Sequence, residues 1–91
     1  VIPVTIGDQF IALYNVDGTF FATDDLCTHE QARLSDGFVI DDIIECPLHQ
    51  GRFHIPTGEA KGAPVTCNLQ THMVKIEGDN VYIGLSQLVT T

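Results

Sequence analysis

Two short segments, Cys27-Thr28-His29 and Cys46-Pro47-Leu48-His49, decide how this chain is interpreted. Each segment offers one thiolate and one imidazole, and sixteen residues separate the two segments. Turn-forming residues flank both, so each segment is expected at a loop tip rather than inside a long helix. Four ligands of this mixture can hold either a tetrahedral zinc ion or a two-iron, two-sulfur cluster. The ligand types alone leave both possibilities open.

Outward from these segments, the chain divides into short apolar stretches separated by Gly, Asp, Asn and Pro. Asp17-Gly18 predicts a hairpin, and Asp41-Asp42 and Gly78-Asp79-Asn80 predict two more. No stretch keeps an apolar period of 3.6 residues long enough to predict a helix. The predicted strands are Val4–Ile6, Gln9–Val16, Thr19–Thr23, Phe38–Ile40, Ile43–Cys46, Arg52–Ile55, Thr71–Glu77 and Val81–Leu85. The sequence therefore predicts a single all-β domain over residues 1–91.

The predicted strands place the two ligand segments at corresponding positions. The first segment follows a strand that ends near Asp24, and the second begins where the strand after Asp41-Asp42 ends. Two such loops lying side by side would bring four ligand atoms together at one end of the β scaffold. Metal-ligand geometry requires rigid support of this kind.

Charge and cysteine content narrow the function classes. Twelve acidic residues against four basic ones give a formal net charge of -8, which disfavours nucleic-acid binding and favours basic protein partners. No apolar run is long enough to span a bilayer, and no export signal is present, so we expect no membrane association. Three cysteines, an odd number, do not complete a disulfide framework and suit a reducing cytoplasm.

The order of the ligands distinguishes the two kinds of metal site. A small zinc finger usually pairs its two cysteines with each other and its two histidines with each other, the latter on a helix. Here each segment is mixed. The spacing, together with Cys46-Pro47-Leu48-His49-Gln50-Gly51-Arg52-Phe53 and Gly62-Ala63-Pro64-Val65, resembles the Rieske ferredoxins of bacterial aromatic-ring dioxygenase systems, such as the naphthalene and biphenyl types. The resemblance extends from about Tyr14 to Leu85.

This resemblance implies a Rieske fold, in which small antiparallel sheets carry two cluster-binding loops at one end. It implies one [2Fe-2S] cluster per chain, with Cys27 and Cys46 binding one iron and His29 and His49 binding the other. The protein would then be an electron carrier with no catalytic residues of its own. By resemblance, an NADH-dependent flavoprotein reductase would supply the electron, and a terminal oxygenase would receive it after transient docking near the two histidines.

Residues absent from the loops indicate a low-potential cluster. In high-potential Rieske proteins, a second cysteine in each loop forms a disulfide, but the matching positions here are Ala32 and Leu48. Those proteins also donate hydroxyl hydrogen bonds to the cluster from positions that match Gly51 and Phe53. Fewer donors near the sulfur atoms stabilise an added electron less.

Two alternatives stay open at this stage: the N-terminal Rieske domain of a larger oxygenase, and a structural zinc module. Gly62-Ala63-Pro64 resembles the third loop that shields the cluster from water in this family. His54 and His72 are predicted to be ordinary strand residues, and Cys67 a buried or half-buried thiol. Acidic residues near the ligand segments could form a docking rim or a solvated surface: Asp24, Asp25, Glu30, Asp36, Asp41, Asp42 and Glu45. Arg33 and Arg52 could contribute to the cluster's electrostatics or to partner recognition.

Overall fold

The structure, a computed structural model, describes residues 1–28, 32–48, 50–62 and 67–84. This part of the chain contains eight strands and one turn of 3₁₀ helix, Leu34–Asp36. The strands are β1 (Ile2–Ile6), β2 (Gln9–Val16), β3 (Thr19–Asp24), β4 (Phe38–Ile40), β5 (Ile43–Glu45), β6 (Arg52–His54), β7 (Thr71–Glu77) and β8 (Asn80–Gly84).

The strands form two antiparallel sheets. One sheet has five strands in the order β1-β2-β3-β7-β8, and the other has three in the order β4-β5-β6. Every pairing within the two sheets is antiparallel. The predicted all-β fold is therefore confirmed. Among the described residues, no helix is long and apolar enough to cross a bilayer.

The three predicted hairpins are present. Val16 pairs with Thr19, and both residues between them, Asp17 and Gly18, have positive φ, which suits the tight turn of a two-residue hairpin. Ile40 likewise pairs with Ile43 across Asp41-Asp42. The third turn is shorter than predicted, because Asn80 already pairs with Glu77 and belongs to β8.

Most strand ends agree with the sequence to within one residue, and the largest difference lies in β1. This strand begins at Ile2 rather than Val4 and runs through Pro3, which is opposite Ala12 of β2. A proline lacks the backbone N–H that a central strand would need. β1 is an edge strand of its sheet, so the proline is tolerated there.

Strand β2 is buried on both faces, and this places the two cores of the domain. Ala12 and Tyr14 face a cluster that also includes Cys27 and Cys46. The alternate residues of β2, Ile11 and Leu13, pack with Ala22 in a second cluster. Because successive side chains of a strand point to opposite faces, the apolar residues of β2 contribute to both cores.

Candidate metal centre

Each predicted ligand loop is closed by a backbone hydrogen bond of the same kind. The N–H of Cys27 donates to the carbonyl oxygen of Ala32 at 2.9 Å, and the N–H of Cys46 donates to that of Gly51 at 2.6 Å. In both loops the bond joins the cysteine to the residue five positions further on. The two loops are therefore closed in matching ways at the cysteine end.

Both cysteines point into the protein, while the neighbouring apolar residues are exposed. Cys27 is 7% exposed and Cys46 is 1% exposed, and both belong to the core cluster that contains Tyr14. In contrast, Leu26 is 49% exposed and Leu48 is 45% exposed. Two soft donors thus reach one buried region from loops whose outer residues face solvent, and thiolate donors of this kind suit zinc or an iron–sulfur cluster.

The two predicted histidine ligands, His29 and His49, lie outside the described residues, as do Glu30, Ala63 and Pro64. Within residues 1–28, 32–48, 50–62 and 67–84, no three potential metal-ligating side chains converge. The structure thus describes the cysteine half of the predicted ligand set and leaves the imidazole half as a prediction.

The first ligand loop is anchored by a buried carboxylate. The side chain of Asp25 is completely buried, and its two oxygens accept hydrogen bonds from the Ser35 backbone N–H at 2.8 Å and from the Ser35 hydroxyl at 2.9 Å. The Leu34 N–H donates to the Asp25 carbonyl oxygen at 2.7 Å. Asp25 therefore cannot belong to an exposed acidic rim, and its inclusion in that prediction is wrong.

The two ligand loops meet through a glycine. Gly37 follows the 3₁₀ helix that ends the first loop, and its N–H donates to the Leu34 carbonyl oxygen at 2.9 Å. A Cβ atom at Gly37 would collide with the carbonyl oxygen of Glu45, the residue that precedes Cys46. The exit of one loop and the entry of the other therefore touch through backbone atoms.

A contact also joins the first loop to the segment that follows the predicted third loop. The Thr28 hydroxyl donates to the carbonyl oxygen of Cys67 at 2.9 Å. The Cys67 side chain itself is exposed, so the prediction of a buried or half-buried thiol is wrong. The Cys67 backbone carbonyl oxygen makes this contact with Thr28, while the Cys67 side chain faces solvent.

The histidines outside the ligand segments lie on strands as predicted, but each has a carboxylate partner that the sequence did not reveal. His54 of β6 contacts Asp42 at 2.9 Å. The buried side chain of His72 on β7 contacts Asp24 of β3 at 2.8 Å, across the pairing of those strands. A groove of about 440 Å³ adjoins the second pair, and Asp8, Gln9, Phe10, Asp24, Leu26, Gln70 and His72 line it.

Among the described residues that follow the second ligand segment, Gly51 and Phe53 carry no hydroxyl group. Phe53 is fully buried in the same cluster as Cys46, and Gly51 is also buried. Tyr14 of that cluster is already hydrogen-bonded elsewhere: its hydroxyl lies 2.8 Å from the Thr23 hydroxyl, which itself donates to the Asp24 carbonyl oxygen at 2.9 Å. Burial raises the pKa of Tyr14 well above its ordinary value, the Thr23 hydrogen bond opposes that rise, and the Asp25 charge adds to it.

Comparison with known proteins matches this arrangement to one family. Residues 1–73 match the model of the Rieske [2Fe-2S] domain. The chain is 57% identical over 86 residues to the ferredoxin component of the naphthalene 1,2-dioxygenase system of Pseudomonas aeruginosa, an alignment that covers 94% of this chain and 83% of that relative.

Solved structures show the same likeness. The Sphingomonas yanoikuyae B1 ferredoxin is 45% identical with a TM-score of 0.85, over 92% of this chain and 85% of that one. A chain of the complex of reduced oxygenase and oxidized ferredoxin in carbazole 1,9a-dioxygenase is 38% identical with a TM-score of 0.88, over 91% of this chain and 86% of that one.

The chain therefore belongs to the Rieske [2Fe-2S] domain family, whose cofactor is a Rieske-type iron–sulfur cluster. Within that family it is a ferredoxin of the aromatic dioxygenase type, a carrier of electrons rather than a catalytic subunit. These findings confirm the resemblance seen in the sequence and count against the structural zinc alternative.

Proposed function

We propose that Cys27 and Cys46 bind one iron of a single [2Fe-2S] cluster as thiolates, and that His29 and His49 bind the other iron. The observation that carries this proposal is the burial of both cysteines in one cluster, each at the start of a loop closed by the same backbone hydrogen bond. When bound, the cluster would accept and release one electron at a time. The protein's own residues hold the loops in register and exclude water from the sulfur side.

The direction of electron flow is proposed from the relatives. A flavoprotein reductase would reduce the ferredoxin, and the terminal oxygenase of an aromatic ring-hydroxylating dioxygenase system would accept the electron from it. One of the structural relatives is the complex of a ferredoxin with an oxygenase, which supports the second half of this route. We further propose that the protein acts in the cytoplasm and that residues 1–91 form one domain. The two cores that share strand β2 support the proposal of a single domain.

Docking is proposed at the end that carries the ligand loops. Leu26 and Leu48 are exposed there, each next to a predicted ligand cysteine or histidine, and exposed apolar side chains of this kind suit a transient protein contact. A partner that packs over this end would approach the predicted imidazole edge.

The charges of the chain favour a basic partner. Three of its four cationic side chains form ion pairs with its own carboxylates: Arg52 with Glu45, Lys61 with Glu59 and Lys75 with Glu77. The fourth, Arg33, lies 4.3 Å from the centre of the Phe10 ring and 4.0 Å from a carboxylate oxygen of Asp25. Since the chain's own cations are already engaged, the partner must bring the positive charge that complements a net charge of -8. The same balance supports the proposal that nucleic acid is not a partner.

The low potential also remains a proposal. Ala32 and Leu48 leave no cysteine for a disulfide between the loops, and Gly51 and Phe53 offer no hydroxyl donor. Phe53 is fully buried, so bulk solvent does not reach that ring. Fewer hydrogen bonds to the sulfur atoms should keep the midpoint potential near the low end of the Rieske range, about -150 mV.

A spectroscopic titration tests the proposed centre. The purified chain, expressed with iron and sulfide available, should contain two irons and two sulfides per chain and show visible absorption that bleaches on one-electron reduction. A colourless protein with stoichiometric zinc would instead establish the structural zinc module and refute the proposal.

Docking is tested with a matched pair of apolar surface variants. Leu48→Ala should slow electron transfer to a dioxygenase-type oxygenase several-fold without changing the visible spectrum, because it removes an apolar contact beside the predicted imidazole edge. Met73→Ala is the control, since Met73 is 79% exposed on β7, a strand of the five-stranded sheet. Equal rates for the two variants would place docking elsewhere.

A further inference from the structure

Asp25 occupies an unusual position for an acidic residue, since it is completely buried two residues ahead of a predicted ligand, Cys27. Its backbone N–H donates to the Phe10 carbonyl oxygen at 2.9 Å, and its carbonyl oxygen accepts the Leu34 N–H at 2.7 Å. Its carboxylate accepts both hydrogen bonds from Ser35. One residue therefore ties the entry of the first ligand loop to its exit and to strand β2.

The carboxylate of Asp25 also places a fixed charge beside the loop. A cationic group near this carboxylate is the Arg33 guanidinium, whose Nε is 4.0 Å from Oδ2 of Asp25. The Arg33 side chain is 40% exposed and its guanidinium lies over the Phe10 ring, so solvent weakens the attraction between this cation and the buried carboxylate. A charge in the low-dielectric interior acts over a longer distance than one at the surface.

We propose that Asp25 is a positioning residue whose buried negative charge lowers the midpoint potential of the cluster bound by the Cys27 and Cys46 loops. The proposal rests on the ligand set proposed above. Adding an electron near a fixed anion is unfavourable, so the charge favours the oxidised form. The hydrogen bonds to Ser35 hold that charge in one place relative to Cys27.

If Asp25 only stabilised the fold, removing its charge would leave the midpoint potential unchanged. An isosteric variant separates this structural role from the proposed electrostatic one. In Asp25→Asn, the amide oxygen can still accept the Ser35 N–H, and the amide NH₂ can donate to the Ser35 hydroxyl oxygen. The loop contacts are retained while the charge is removed. We expect the reduction equilibrium to shift about tenfold toward the reduced form, a rise in midpoint potential of about 59 mV for one electron.

The matched control is Asp36→Asn, which removes the same charge from an exposed position in the adjoining 3₁₀ helix. Screening by water and salt should limit its effect to less than twofold. Both potentials are measured by protein-film voltammetry on the intact, cluster-loaded protein. Equal shifts for the two variants, or no shift for Asp25→Asn, would overturn the proposal and leave Asp25 with a structural role alone.

A second variant keeps the test decisive if Asp25→Asn fails to assemble a cluster. Ser35→Ala retains the charge but removes the hydroxyl that partly neutralises it, so the equilibrium should shift about twofold toward the oxidised form. An unchanged potential in Ser35→Ala would then refute the proposal. A wild-type protein without an iron–sulfur spectrum would instead refute the ligand set itself, so the two failures can be told apart.

Discussion

Gly37 lies so close to the carbonyl oxygen of Glu45 that no Cβ atom fits between them. The φ of Gly37 is -91°, a value that any residue adopts, so the glycine is required by the contact and not by its backbone conformation. Because Gly37 ends the first loop and Glu45 precedes Cys46, this contact sets how closely the two ligand loops approach each other.

The contact predicts that Gly37→Ala impairs the cluster. The added methyl group must push the 3₁₀ helix away from β5, at a cost of about 1–3 kcal/mol in the free energy of unfolding. The same displacement separates the two cysteine loops, so the iron content after reconstitution should fall by more than half. Thermal unfolding and iron analysis of the purified variant measure the two effects.

Gly84→Ala provides the control for that experiment. A Cβ at Gly84 would meet the Met73 side chain at an ordinary distance of 3.7 Å, and φ there is not positive. This variant should keep wild-type iron content and stability to within about 0.5 kcal/mol. If Gly37→Ala also keeps full iron content, the contact does not control the spacing of the loops.

Substitution of the proposed ligand Cys46 and of the exposed Cys67 should have different effects. Cys46→Ser is expected to abolish the visible absorption and to lower the melting temperature, because metal binding is coupled to folding in domains of this size. Cys67→Ser should leave both unchanged, since the Cys67 side chain is exposed and its carbonyl oxygen, which the substitution keeps, accepts the Thr28 hydrogen bond. Loss of the cluster in Cys67→Ser would assign that thiol a role beyond the one its exposure indicates.

A hydroxyl restored at Phe53 should raise the midpoint potential. Phe53→Tyr places an O–H donor in the buried cluster that contains Cys46, where a hydrogen bond to sulfur stabilises the added electron. A rise of about 59 mV would correspond to a tenfold shift in the reduction equilibrium. Phe38→Tyr, at an exposed position of β4, is the control and should leave the potential unchanged. An unshifted Phe53→Tyr potential would show that the ring edge does not reach the cluster.

Tyr14 should make the protein lose stability in alkali. The phenol ionises near pH 10 in the unfolded chain, whereas burial raises its pKa in the folded protein. Above pH 10 the folded state therefore binds more protons than the unfolded state, so the free energy of unfolding falls as pH rises. Below pH 10 the contribution of Tyr14 is fully present.

Denaturant unfolding at pH 9, 10 and 11 measures this effect. Tyr14→Phe removes the titrating group and should flatten the decline by up to about 1.4 kcal/mol per pH unit. At neutral pH the same variant should be less stable by about 1 kcal/mol, because it loses the hydrogen bond to Thr23. Tyr82→Phe, on the exposed strand β8, should keep the wild-type decline. If the free energy of unfolding falls equally with pH in Tyr14→Phe and in the wild type, Tyr14 is not the group that causes the decline.

The hairpins could be predicted because local chemistry determines them. Asp17-Gly18 requires two residues of positive φ, and alternating apolar residues on either side fix the strand register. The start of β1 could not be predicted in the same way. Whether Pro3 ends a strand or lies within one depends on whether that strand is at an edge of the sheet, which is a property of the whole fold.

In the candidate site too, some features follow from local sequence and others depend on the whole fold. The positions of Cys27 and Cys46 at loop starts follow from the predicted strands, and their burial agrees with the ligand role. The burial of Asp25 and the exposure of Cys67 did not follow, because neither residue type nor spacing reveals which long-range contacts a loop makes. The pairing of His72 with Asp24 joins residues 48 positions apart, and no local pattern signals it.

The packing of strand β2 determines how the protein unfolds. Ala12 and Tyr14 pack in the cluster that holds the two ligand cysteines, while Ile11 and Leu13 form the other core with Ala22. If either core unfolds, β2 loses the packing on one of its faces, and the other core depends on that same strand. The domain should therefore unfold in a single cooperative transition, in which the metal centre and the five-stranded sheet are lost together because metal binding is coupled to folding.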